Sequence, residues 1–272
     1  YIVPNEIDSD ASGNIFILGS VKKPDNSTQW LPSEEFLGNT LTILSPTGLH
    51  IRTIEVADST DGNGFWSSTE THRNHLSTSD SGTTLINTGK KAYLVEFSGN
   101  ISTIVDTPIQ GEYTGSQLRS ADYFDNSFYL QNGGKILKYD SYGNLQETIV
   151  SGWDNEPRNY RLNSGSGIDI DVSKDLIVAV HWDSKQGSSS RGELWSLKKE
   201  SGDWSQSQVL GFSHRPVAVE FSDSQTIYMI GEHTTGSDGF LAKYELDEND
   251  NWTQVWYVSD ESSYRFHRLN II

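Results

Sequence analysis

The chain has 272 residues and a mass of 30.4 kDa, with 37 acidic against 20 basic side chains and a formal net charge of -17. That length allows a sizeable core, and the absence of cysteine rules out disulfide frameworks, thiolate metal centres and cysteine nucleophiles. The charge argues against a general nucleic-acid binder, no apolar run reaches the ~20 residues of a membrane-spanning helix, and an aromatic content of 11% argues against disorder.

The chain opens on the strand-like Tyr1-Ile2-Val3-Pro4, which reads as the start of a processed or excised domain. Short runs of alternating apolar and polar residues follow, separated by turns rich in Gly, Asn and Asp, which is the signature of strands. The first unit, residues 5–58, begins with Ile7-Asp8-Ser9-Asp10 and has its third strand at Leu41-Thr42-Ile43-Leu44, with a polar turn at Gly48. The second, residues 74–107, runs from Leu76-Ser77-Thr78-Ser79 to Tyr93-Leu94-Val95-Glu96-Phe97 and a turn at Gly99. The third, residues 119–151, carries Ala121-Asp122-Tyr123-Phe124 and Ile136-Leu137-Lys138-Tyr139 before Gly143. The fourth, residues 166–211, carries Ile168-Asp169-Ile170-Asp171 and Leu194-Trp195-Ser196-Leu197 before Gly202. In the fifth, residues 216–259, all four strands are legible, from Pro216-Val217-Ala218-Val219-Glu220-Phe221 through Thr226-Ile227-Tyr228-Met229-Ile230 and Leu241-Ala242-Lys243-Tyr244 to Trp252-Thr253-Gln254-Val255-Trp256-Tyr257. After a longer first interval the units recur every ~45–50 residues, the period of a four-stranded propeller blade.

The turn from Ser222 to Tyr228 and the Lys138-Tyr139-Asp140-Ser141-Tyr142-Gly143-Asn144 run resemble the degenerate blades of secreted bacterial propellers, and the likeness to the β-propeller superfamily extends over nearly the whole chain. The expected fold is an all-β, five-bladed β-propeller with four antiparallel strands per blade, in which residues 1–3 or 268–272 pair with the opposite end to close the ring. A two-sheet sandwich accounts for the strands but not for their ordered repetition.

First strands of blades converge on a central opening, so the segments just before them share one mouth. Those segments hold Trp66, His72, Arg73 and His75; Tyr113 and Arg119; Trp153, Arg158, Tyr160 and Arg161; His214 and Arg215; and Tyr264, Arg265 and His267. With Arg268 they contain seven Arg and four of the seven His of the chain. Arg offers a planar donor fork for carboxylate or sulfate, and Trp and Tyr offer flat faces with a polar tip for sugar rings. This pattern points to an extracellular, lectin- or adhesin-like carbohydrate-binding module whose partner is an anionic or neutral glycan. The same residues also fit ion pairing between blades, with Asp8, Asp10, Asp80, Asp122, Asp169, Asp171 and Glu220 as partners.

A polysaccharide lyase or a glycoside hydrolase acting in the same mouth is the alternative, and a protein-interaction scaffold is the third reading. His72-Arg73-Asn74-His75 with His214-Arg215 resembles the His-rich first strands of propeller polysaccharide lyases, and the resemblance implies His72, His75, His214 and Tyr160 as acid–base groups. A glycosidase would draw two carboxylates from the first strands. Asp8 and Asp10 before Gly13, and Asp58, Asp61 and Asn63 in a Gly-rich loop, have the oxygen-rich spacing of calcium ligands. The composition, high in Ser, Thr, Asn, Asp and Gly and low in Lys, favours an extracytoplasmic setting, as a monomer or as one domain of a larger protein. Three Asn-x-Ser/Thr sequons begin at Asn26, Asn100 and Asn251.

Overall fold

A computed structural model describes residues 2–23, 35–58, 75–87, 91–105, 118–132, 135–150, 169–183, 191–212, 214–233 and 239–260. They form twenty strands in five four-stranded antiparallel sheets, each a meander of consecutive strands. Blade 1 comprises β1 (Ile2–Ser9), β2 (Ile15–Lys23), β3 (Glu35–Leu44) and β4 (His50–Asp58). Blade 2 comprises β5 (His75–Thr78), β6 (Thr84–Asn87), β7 (Ala92–Val95) and β8 (Ile101–Val105), and blade 3 β9 (Leu118–Phe124), β10 (Ser127–Asn132), β11 (Lys135–Asp140) and β12 (Leu145–Val150). Blade 4 comprises β13 (Asp169–Ser173), β14 (Leu176–Asp183), β15 (Arg191–Glu200) and β16 (Asp203–Phe212), and blade 5 β17 (His214–Asp223), β18 (Thr226–His233), β19 (Gly239–Leu246) and β20 (Trp252–Asp260). This is the five-bladed propeller that the repeat implies. No helix among the described residues is long and apolar enough to cross a membrane. Residues 261–272, and with them the expected C-terminal closing strand, lie outside the described residues.

The strand types follow from which faces are covered. Second and third strands sit between two neighbouring blades, so both of their faces are buried and they read as continuous apolar runs. Leu176-Ile177-Val178-Ala179-Val180 of β14 is buried throughout, as is Thr84–Asn87 of β6. Fourth strands have one solvated face, and β8 is exposed along Ile101 to Thr103.

Each seam between successive blades holds an apolar cluster. Phe16, Leu18, Leu41 and Ile43 of blade 1 pack with Leu76, Ile86, Tyr93 and Val95 of blade 2. Leu85, Ala92 and Leu94 pack with Phe128, Leu130 and Tyr139 of blade 3. Tyr129, Ile136 and Ile149 pack with Ile170, Val172 and Ile177 of blade 4, and Val178, Val180 and Leu194 with Met229, Phe240, Ala242 and Trp252 of blade 5.

Polar groups on the first strands stitch three of these seams. The Leu76 and Thr78 amides of β5 donate to Glu6 Oε2 and Asp8 Oδ2 of β1, both at 2.7 Å. The Ile170 and Val172 amides of β13 donate to Ser120 Oγ at 3.1 Å and Asp122 Oδ2 at 2.9 Å of β9. The Phe221 amide of β17 donates to Asp171 Oδ2 of β13. These contacts advance two residues on each side, so neighbouring first strands run parallel.

Turns of five residues, or of two in four of the hairpins, close one end of the blades. In blade 3 Asp140 Oδ1 accepts from the Tyr142 and Asn144 amides at 2.9 and 2.8 Å, and Asn144 Nδ2 returns a bond to Asp140 Oδ2 at 2.9 Å. These bonds, the Asn144 side chain's first, hold the Asp140 carboxyl below the usual carboxylate range. Gly143 closes that turn at φ +84°, and a Cβ there would lie 2.9 Å from Ile104 Cγ2 of blade 2. Gly48 has a similar φ of +79° with nothing within 4 Å of its Cβ position. Gly143→Ala is therefore expected to cost about 2–4 kcal/mol, left-handed strain plus overpacking, against about 1–2 kcal/mol of strain for Gly48→Ala. Urea denaturation of the two variants measures the gap, and equal costs would show that the blade 3 turn is not seated on blade 2.

Candidate functional site

The meander sends the first-to-second and third-to-fourth turns to one end of every blade. The second-to-third connections and the links between blades depart from the other end, the expected mouth. Strand β5 starts at His75, Arg119 is the second residue of β9, and β17 starts with His214 and Arg215, so the parallel first strands bring these four positions to that mouth end. Of the four, His214 is the one whose side chain is described. Trp66, His72, Arg73, Tyr113, Trp153, Arg158, Tyr160, Arg161, Tyr264, Arg265 and His267 lie outside the described residues, and so do Asp61 and Asn63.

Between blades 4 and 5 a cavity of about 340 Å³ opens beside His214. Its floor is Met229, Phe240 and Tyr244, which are 1%, 1% and 4% exposed. Its rim is Gly211, Phe212, His214, Gln254 and Tyr257, all half-buried or exposed. The His214, Phe240 and Tyr257 ring centroids are mutually 5.6 Å apart, with His214 stacked on Tyr257 at 27° and Phe240 on Tyr257 at 20°. Phe212 leans on Tyr244 at 6.0 Å and 60°. Such spacings lie within the attractive range for offset and tilted ring pairs.

The electrostatics of the cavity are those of a neutral slot. Among the described residues its lining includes no Asp, Glu, Lys or Arg. Burial, with a smaller push from Tyr257, raises the Tyr244 phenol to about 12, and burial also raises that of Tyr257. Both hydroxyls therefore stay protonated at neutral pH. Tyr244 Oη donates to Gln254 Oε1 at 3.3 Å, which ties the floor to the exposed rim.

Sequence reasoning reached His214 because it borders a blade junction, but its site residues did not include Met229, Phe240, Tyr244, Gln254 or Tyr257. The available signal was the alternation of Phe240, Ala242 and Tyr244, which puts three side chains of β19 on one face.

The acidic first-strand residues meet backbone amides. Asp8 Oδ2 accepts from Thr78 and Oδ1 from the Ser9 amide at 2.8 Å. Asp10 is 8% exposed, and its Oδ1 accepts from the Ser12 and Asn14 amides at 2.9 Å while Oδ2 accepts from Asn14 Nδ2 at 2.8 Å. Of the oxygens put forward for calcium, those of Asp8 bond at a blade seam and those of Asp10 within a hairpin turn. Among the described residues no three His, Asp or Glu side chains group as metal ligands. Asp58 ends β4, and its side chain lies outside the described set.

No protein-family model matches the sequence, and no curated protein matches it. Solved structures do resemble the fold. A Bacteroides uniformis protein designated a 6-phosphogluconolactonase superposes with a TM-score of 0.55 at 12% identity, over 100% of this chain and 74% of that one. Pyrococcus horikoshii acylaminoacyl peptidase superposes with a TM-score of 0.51 at 9% identity, over 94% of this chain and 39% of the peptidase. A chain from the S. cerevisiae assembly of dbp5 with nup159 and gle1 gives 0.46 at 8% identity, and this protein spans 59% of its length. At these identities the likeness is one of fold. Proteins of varied function share it.

The position of His214 is set by a close approach. A Cβ on Gly192 of β15 would collide with the His214 carbonyl and the Pro216 ring of β17. Gly192→Ala is expected to push β17 away from blade 4, to cost about 1–3 kcal/mol and to change the near-ultraviolet circular dichroism of the ring cluster. An unaltered spectrum and midpoint would show that Gly192 does not position the site.

Proposed function

We propose that this propeller is an extracytoplasmic carbohydrate-binding module, lectin- or adhesin-like, that takes a sugar ring into the cavity between blades 4 and 5. The observation that supports this reading is the Phe240–Tyr257–His214 cluster, with aromatic faces below and polar edges at the rim. Sugar rings present an apolar C–H face and equatorial hydroxyls, and ligand pockets of this kind are mostly apolar with a few placed polar groups. The size, ~340 Å³, lies near the lower end of the range for small-ligand sites. That favours one or two rings over a long chain. An uncharged lining favours a neutral saccharide over a uronate or sulfated one.

Binding of neutral and anionic oligosaccharides, followed by titration calorimetry, tests the proposal. Neutral saccharides are expected to bind, and Tyr257→Ala to weaken binding about tenfold or more, the scale of a lost aromatic anchor worth ~1.4 kcal/mol. Tyr257 is half-buried, so its truncation leaves the floor of Met229 and Phe240 in place. Binding unchanged in Tyr257→Ala, or no saccharide bound at millimolar concentration, rejects the reading.

A further inference from the structure

The seam between blades 3 and 4 contains a pair of carboxyls that ligand binding does not use. Asp122 projects from β9 and Asp171 from β13, and their side chains are hydrogen-bonded to each other. One backbone donor serves both: the Val172 amide lies 2.9 Å from Asp122 Oδ2 and 2.8 Å from Asp171 Oδ1. Asp171 Oδ2 continues the chain of contacts to the Phe221 amide in blade 5. Two carboxylates in such contact repel each other, whereas a carboxylic acid and a carboxylate share a proton in a strong hydrogen bond.

We propose that Asp122 and Asp171 form a proton-held latch between blades 3 and 4, closed while one proton bridges the two carboxyls and loosened when that proton leaves. In the closed form the Asp122 hydroxyl donates to the Asp171 carboxylate, which also accepts the Val172 and Phe221 amides. Loss of the proton puts two negative charges across the seam with the same two amides between them.

The groups around the pair leave this proton in place. Tyr129 of β10 lies opposite Asp122 in the ladder, and its phenol, raised to about 12 chiefly by burial, is neutral. The Lys138 ammonium of β11 sits 5.4 Å from the Tyr129 ring centroid. The Lys199 ammonium of β15 pairs with Glu147 of β12 at 3.7 Å. Opposite Asp171 in β14 is the uncharged Val178. Glu220 of β17, opposite Tyr228 of β18, adds a third acid near Phe221. On the side of blade 2, Thr78 of β5 carries no charge. The charge acting on Asp122 is that of Asp171, and together with burial, which is the larger cause, it holds the Asp122 carboxyl well above the usual carboxylate range. Burial also raises Asp171, opposed by the Phe221 amide and by the bond from Asp122.

The direction of the pH effect follows. The unfolded chain releases the Asp122 proton near pH 4, while the folded chain keeps it to a higher pH. Over that interval the folded state binds the extra proton, so stability falls as pH rises; this contribution is complete below the unfolded value and gone above the folded one.

Denaturant unfolding of the intact chain from pH 4 to 9, compared with Asp122→Asn, measures it. Asn keeps a donor toward Asp171 and cannot ionise. The wild-type folding constant is expected to fall by up to tenfold per pH unit within the interval, and that slope is expected to be absent from the difference curve's Asp122→Asn arm. Equal slopes in both proteins overturn the proposal. Amide exchange of the wild type, corrected for the intrinsic pH dependence, gives an independent readout. Protection of Val172 and Phe221 is expected to drop over the same interval while that of Leu76 and Thr78 holds. A uniform drop at both seams, or none, also overturns it.

Discussion

A first strand in a propeller blade has one edge paired and one edge open. Its second edge faces the preceding blade at an angle too steep for a continuous sheet, yet its amides still need acceptors. In this protein side chains of the preceding blade supply them: Glu6 and Asp8 for β5, Ser120 and Asp122 for β13, Asp171 for β17. The apolar clusters hold neighbouring sheets together without fixing their offset, because hydrophobic contact is non-directional. The carboxylate-to-amide bonds fix it. Every other arrangement in the molecule, including which side chains meet at the mouth, inherits that register.

Much of this architecture is legible in the sequence. Second and third strands stand out because burial on both faces makes them apolar throughout, and Leu41 to Leu44 or Leu194 to Leu197 give a dependable ruler. Turns such as 140–144 are equally plain, since their Asp, Gly and Asn bond within the turn itself. The acids of the first strands are visible too, but their role is not. Read as letters, Asp8, Asp122 and Asp171 fit partners for arginine, and Asp8 fits a calcium ligand as well. That they meet main-chain N–H groups depends on the open edge of a strand about 50 to 70 residues away, and an open edge has no residue code.

The cavity illustrates a different limit. His214 is found by its place before a first strand, but its neighbours Met229, Phe240 and Tyr257 come from the three other strands of the same blade, and Gly211 and Phe212 of blade 4 complete the lining. Each of them taken alone is an ordinary core residue. The same rings that pack the seam between blades 4 and 5 also line the cavity there. Gly192, which has no side chain to offer chemistry, sets how close β17 comes and so belongs to the site in a physical sense.

The five first-strand bonds named above share a polarity: in each the acceptor belongs to the earlier blade and the donor to the later one. A chain emerging from the ribosome would therefore present each docking oxygen before the amide that seeks it has been made. Assembly can then proceed as a ratchet, each finished sheet acting as template for its successor.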